Sequence, residues 1–266
     1  MKNDYTKEHR DYLKQVRTKS IIVNVSRFSI LILFLILWEV LTYLNVIDGF
    51  LFSSPSRIVS TTSRLIDSGE LFKHIGTTLL ETLSGFFIAS VAGLVIAIAF
   101  WWSDVLRKIF EPYVVVLNSL PKIALGPIII IWFGSGTSAI IFMTVIITVI
   151  VTIINLLTGF CETDENKLLL MRAMGANKAQ IFTKLVLPSS IPNIISTLKI
   201  NVGMSWIGSI MGEYLVSKQG IGYLIVYGGQ VFKLDLVMTS TVILCILAAL
   251  MYFSVVLIEK RLLKSR

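Results

Sequence analysis

Two cysteines and two histidines are all the thiols and imidazoles that 266 residues supply. Cys161 and Cys245 lie in or beside apolar runs and form no CxxC motif, so they read as packing residues rather than a disulfide framework. His9 and His74 fall outside those runs, which excludes a histidine-built metal site; no metal and no cofactor are expected. Charge is also scarce, at 15% of residues against about a quarter in soluble domains, so a large soluble core is excluded. No Gly-x4-Gly-Lys-Ser/Thr loop is present, so the chain is not expected to hydrolyse ATP. No Ser–His or Cys–His pair can be placed within the apolar runs, so it does not read as an enzyme.

What is there instead is apolar length: 55% of residues are hydrophobic. A helix needs about 20 such residues to cross a bilayer, whereas barrel strands need about 10 and alternate. The runs here are long and do not alternate. The expected fold class is therefore all-α, a polytopic membrane protein with six spans at about 28–47, 75–102, 112–133, 138–160, 191–215 and 236–258. The third and fourth come from one charge-free run, 123–161, cut by the glycine-serine turn "GSGTS". A basic leader, 1–27, precedes the first span; the apolar run after it is too long for a signal-peptide core, so that span reads as an uncleaved anchor.

Net charge is +8. The basic residues sit in loops and ends, which points to membrane orientation rather than to nucleic acid. The leader holds seven, residues 107–108 two, the stretch after span four another four (Lys167, Arg172, Lys178, Lys184) and the C-terminus four, against five on the other side (Arg57, Arg64, Lys73, Lys218, Lys233). The expected location is the cell membrane, multi-pass, with both termini and the segment 161–190 cytoplasmic. On the outer side, "SSPSRIVSTTSRLIDSG" reads as a surface helix capped by Ser54, started by Pro55 and stopped by Gly69, with Ile58, Thr62, Leu65 and Ile66 on one face.

Segment 161–190 is a short cationic island between apolar runs. Thr163, Asp164 and Glu165 suit a helix start, Gly175 a left-handed stop and Asn177 the cap of a second helix. That second helix puts Ile181, Phe182, Leu185 and Val186 on one face, and Pro188 and Pro192 signal a break before span five. Helices this short cannot span, so their apolar sides must bury against the rest of the chain, the lipid interface or a groove on a soluble partner. Periodicity alone leaves those options open.

The spacing from Gly175 to "LVLP" (185–188) resembles the cytoplasmic signature loop of binding-protein-dependent ABC-importer permeases, whose pattern is Glu-Ala-Ala, three residues, Gly, nine residues, Ile-x-Leu-Pro. Leu169, Leu170 and Met171 stand where the family has Glu-Ala-Ala, and Leu185 replaces isoleucine. "SSPSRIV" (53–59), "LPKIALGPIIIIWFGSG" (120–136), "GMSWIGSIMGEYL" (203–215) and "QGIGYLI" (219–225) look like the nitrate/sulfonate/taurine-type subfamily. The resemblance implies a type I ABC importer permease fold and import of a small solute. It also implies a second permease copy, cytoplasmic ABC ATPase subunits and an extracytoplasmic solute-binding protein as partners. It implies a coupling loop of Leu169, Leu170, Met171, Gly175, Ala176, Ile181, Phe182, Leu185, Leu187 and Pro188, with the helix after the glycine docked in the ATPase. From residues alone, an ion-coupled secondary transporter and a non-transport membrane subunit stay open beside it.

Ionisable residues inside spans are candidates by default. Lys122 and Lys199 read as snorkelling, Glu81 and Glu213 as interfacial, and Glu39 as a structural pair or part of a path. Asn201, Ser205, Gly208, Ser209, Gly212 and Glu213 recur along span five. They are expected either to line a substrate path or to let helices approach closely.

Overall fold

The computed structural model describes residues 7–264, and every regular element among them is a helix. Residues 1–6, including Lys2 of the basic leader, and the last two residues, including Arg266, lie outside the described residues. Helix α1 (Lys7–Tyr43) is longer than expected. Most of the leader is continuous with the first span rather than a separate segment. From Tyr12 to Leu37 every described side chain of α1 is exposed in the single chain. It is anchored only near its end, where the Glu39 carboxylate accepts from Ser56 N–H (3.0 Å) and Oγ (2.8 Å).

After the short α2 (Gly49–Phe52), α3 (Pro55–Asp67) begins as its sequence dictates. Ser54 Oγ accepts from Arg57 N–H, Pro55 fills the first turn, and Gly69 turns out with φ +72°. Glu39 therefore caps this helix from outside, an anion at a helix N-terminus, as the structural alternative for it requires. Ile58 and Thr61 are buried, Thr62 and Leu65 half-buried, and Ile66 is exposed, so the covered face is rotated slightly from the expected one.

Helices α4 (Glu70–Trp102), α7 (Thr137–Cys161) and α11 (Ile191–Val216) form the core, and α13 (Leu234–Lys264) packs on α11 and α12. Between α4 and α7 the chain does not make the single helix expected over 112–133. It forms α5 (Asp104–Ser119), a 3-10 turn (Lys122–Leu125) and α6 (Gly126–Phe133), bent by 91°. The cause is proline chemistry. Leu120 is held extended (ψ 139°) before Pro121, which has no N–H to continue a helix, and Pro127 restarts one. Five helices are long and apolar enough to cross a membrane, six if the bent pair counts as one span.

The island folds as α8 (Glu165–Ala173), α9 (Lys178–Ile181), a π turn (Phe182–Val186) and α10 (Leu187–Ser189), and α11 follows at once. The expected break at Pro188 and Pro192 does not occur; residues 178–216 form an almost unbroken helical ramp. Pro188 cannot donate to a carbonyl four residues back. The turn before it is widened instead, with Leu187 N–H bonded to Phe182 C=O. Helix α12 (Ile221–Gln230) closes the opposite end of the bundle.

Candidate coupling surface and helix seam

The island is a bent bracket, and its corner is written in the sequence. Asp164 caps α8 by accepting from Asn166 N–H. At the other end Gly175 has φ +78°, its N–H bonds Arg172 C=O and Ala176 N–H bonds Met171 C=O, the paired bonds of a Schellman stop. Asn177 and Gln180 then each accept the other's backbone N–H on a side-chain oxygen, a capping box that starts α9.

Which side of the bracket faces outward differs from expectation. Ile181 and Phe182 on the second helix are each 6% exposed and Val186 is fully covered. They pack on Ala97, Leu156 and Phe160 of this same chain. The Phe182 ring sits 4.8 Å from Trp101 and 5.6 Å from Phe160 between centroids. Lys178 adds a bond from Nζ to Trp102 C=O (2.8 Å) and lies 5.5 Å over the Trp101 ring. Ile181 and Phe182 are thus committed to the bundle, and the assignment of Phe182 to a partner cleft is corrected: it is the peg that fixes the bracket. Leu185, Leu187 and Pro188 are half-buried on the ramp, and Met171 and Ala176 half-buried at the corner.

The first helix carries the free apolar surface. Leu169, Leu170 and Met174 are 66, 60 and 74% exposed. Met174 is not part of the signature pattern, and its exposure becomes legible only once Gly175 fixes the direction of the turn.

The six span-five residues are brought together, but in the interior of one chain. Asn201, Ser205, Ser209 and Glu213 are at most 1% exposed, and Gly208 and Gly212 are buried with them. A Cβ on Gly208 would lie 2.6 Å from Thr144 Cα, and one on Gly212 would lie 2.9 Å from Ile140. From α4, Gly85 and Gly93 meet Thr144 and Thr152 in the same way. Thr144, Thr148 and Thr152 of α7, four residues apart, therefore form a ridge clasped between two rows of small residues.

The polar atoms of this seam tie the helices. Thr82 bonds Ser209 (2.7 Å), Thr148 bonds Ser205 (3.4 Å), Thr152 donates to Asn201 Oδ1 (3.1 Å) and Asn201 Nδ2 donates to Ser90 (3.0 Å). Of the six, only Asn201 borders a sizeable cavity, an apolar hollow of about 550 Å³ among α4, α7, α11 and α13. Within one chain this row packs against neighbouring helices, with Asn201 alone opening to the hollow, which is the arrangement its packing alternative requires. The threonine spacing was the available signal.

The remaining intramembrane charges also find partners. Lys199 pairs with Glu259 at 2.6 Å rather than snorkelling freely, and Lys122 bonds Asn118 C=O at the bend (3.1 Å). Glu81 and Glu213, expected at an interface with water, are each 1% exposed.

Residues 89–264 match the family described as binding-protein-dependent transport system inner membrane component. The chain belongs to that family. It is 28% identical over 230 residues to the putative aliphatic sulfonates transport permease protein SsuC of Bacillus subtilis (strain 168), covering 86% of this chain and 83% of that one. It is 30% identical over 192 residues to the formylaminopyrimidine transport permease protein ThiX of Halalkalibacterium halodurans, covering 72% and 76%. It is 23% identical over 245 residues to the taurine transport system permease protein TauC of Escherichia coli (strain K12), covering 90% and 89%.

Among solved structures, the fold matches a chain of an alginate importer with TM-score 0.64 at 15% identity, covering 91% of this chain and 98% of that one. It matches a chain of the inward-facing MetNI methionine transporter with TM-score 0.59 at 22% identity, covering 69% and 93%. The fold is that of type I ABC importer permeases, and the chain is an ABC importer permease.

Proposed function

We propose that this permease forms, with a second copy, the membrane path for a small solute of the sulfonate, taurine, nitrate or thiamine-precursor class. The solute arrives on an extracytoplasmic binding protein, and import is driven by cytoplasmic ATPases docked on α8. A cytoplasmic island and cytoplasmic termini are supported by the Lys and Arg asymmetry. The solute class rests on the likeness to the aliphatic sulfonate, taurine and formylaminopyrimidine permeases.

The observation that carries the coupling role is the bracket itself. An apolar triad, Leu169, Leu170 and Met174, stands out on a helix whose neighbour is pegged into the bundle by Phe182. An exposed apolar helix face of this kind is suited to a groove on a soluble protein. A push on α8 reaches α4 and α7 through the Phe182 contacts with Trp101 and Phe160, and reaches α11 along the ramp. Because the span-five row is filled within one chain, the solute path is assigned to the boundary between two copies.

The test is reconstitution in proteoliposomes with an ABC ATPase and a solute-binding protein from the same organism. ATP-dependent accumulation of labelled taurine, an alkanesulfonate, nitrate or formylaminopyrimidine is expected. Uptake driven by a proton or sodium gradient without the ATPase would refute the reading.

A further inference from the structure

At the end of the bundle away from α8, two carboxyls are buried side by side. Glu81 comes from α4 and Glu213 from α11, each 1% exposed, and their carboxyl groups lie close enough to act on each other directly. One oxygen of Glu213 accepts from the N–H groups of Gly222 (2.6 Å) and Tyr223 (3.3 Å) in the first turn of α12. The neighbouring donors of that turn are taken by α4: Gly220 N–H by His74 Nδ1 (2.9 Å) and Ile221 N–H by Thr78 Oγ1 (2.8 Å). The N-terminus of α12 is thus held by two other helices. The glycines of "QGIG" make this possible: a Cβ on Gly220 or Gly222 would meet the Glu213 carboxylate.

One oxygen of each, Glu81 Oε2 and Glu213 Oε1, is buried and has no hydrogen-bond donor from the protein. No cation compensates them; neither glutamate belongs to an ion pair among the described residues. The ionisable groups around the pair are His74 on α4, with Glu70 and Lys73 beyond it, Tyr214 on α11 and Tyr223 on α12. His74 accepts at Nδ1, so that nitrogen carries no proton and the ring is neutral. From α7 only Thr137, which is not ionisable, lies beside Glu81; α6 has no ionisable residue, and Asp235 on α13 is engaged with Ser53 and Arg57.

Two carboxylates cannot share a hydrogen bond, and two uncompensated charges at this depth are prohibitive. One O–H between them resolves both problems: it supplies the missing donor and leaves a single negative charge to face the N–H groups of α12. We propose that Glu81 and Glu213 form a proton-binding site, and that the bound proton clips α12 to α4 and α11. Its loss sets two like charges against each other and forces apart α4 and α11, the two helices that together hold the first turn of α12.

The test uses the full chain in lipid nanodiscs and the proton itself as probe. An infrared difference spectrum at neutral pH, wild type minus Glu81→Gln, should show one protonated-carboxylic-acid carbonyl band that shifts down in deuterium oxide. Glu213→Gln should remove the same band. The wild type should lose the band, and melt at lower temperature, as pH is raised, whereas Glu81→Gln should lack this alkaline loss. Glutamine has the shape of the protonated acid and can donate to Glu213, so Glu81→Gln should accumulate normally. No protonated-acid band in the wild type, a band that survives either substitution, an equal alkaline loss in Glu81→Gln, or failure of that variant to accumulate would each overturn the proposal.

Discussion

Replacing Met174 and Phe182 separately with alanine distinguishes a docking surface from the peg that positions it. Met174 is 74% exposed, and full burial of such a side chain is worth roughly 1.5–3 kcal/mol. Docking can therefore gain about 1–2 kcal/mol from it, so Met174→Ala should weaken the ATPase by about 5- to 30-fold in Kd. The chain's own stability should change by no more than about 0.5 kcal/mol, as for other exposed positions.

Phe182 is 6% exposed between Trp101 and Phe160. Its truncation leaves a cavity and should cost about 3–5 kcal/mol of folding stability, lowering the melting temperature and the yield of folded chain. The assay pairs thermal melting of each purified variant with capture by immobilised ATPase, at matched amounts of folded permease. If Met174→Ala binds the ATPase normally while Phe182→Ala melts like the wild type and releases it, the bracket has been read with its faces reversed.

Gly208→Val places side-chain atoms on the Thr144 backbone, where a Cβ alone lies 2.6 Å from Cα, and should cost about 1–3 kcal/mol or more. Uptake should fall in proportion to assembled complex; full assembly with blocked uptake would return this row to the solute path. Gly220→Ala is strained at φ +117° and meets the Glu213 carboxylate, so limited proteolysis should open the chain ahead of α12. An unchanged digestion pattern would count against the clip. With Cys161 and Cys245 replaced by serine, a cysteine at Asn177 should react only with reagent on the cytoplasmic side and one at Ser68 only from outside; reversed labelling would overturn the orientation.

Much of this protein follows from local chemistry. Apolar runs too long for any soluble helix determine that it is a membrane bundle, since backbone polar groups in lipid must be satisfied within each segment. Ser54, Gly69, Asp164, Gly175 and Asn177 determine where helices start and stop, because capping depends on a few neighbouring residues and on one backbone angle. The proline at 121 carried the signal for the 91° bend, but not its angle, which depends on what α5 and α6 pack against.

Facing, by contrast, was decided by tertiary structure alone. An amphipathic helix specifies that Phe182 must be covered, and says nothing about whether the cover is Trp101 of the same chain or a partner's cleft. Small residues at helical spacing in α11 specify close approach equally well to a solute or to a threonine ridge, and only the register of α7 chose the ridge. Glu81 and Glu213 lie 132 positions apart on antiparallel helices. No local pattern links them. They meet because the seam of glycine, serine and threonine sets the distance between α4 and α11, and that contact turns two ordinary acidic residues into a buried pair.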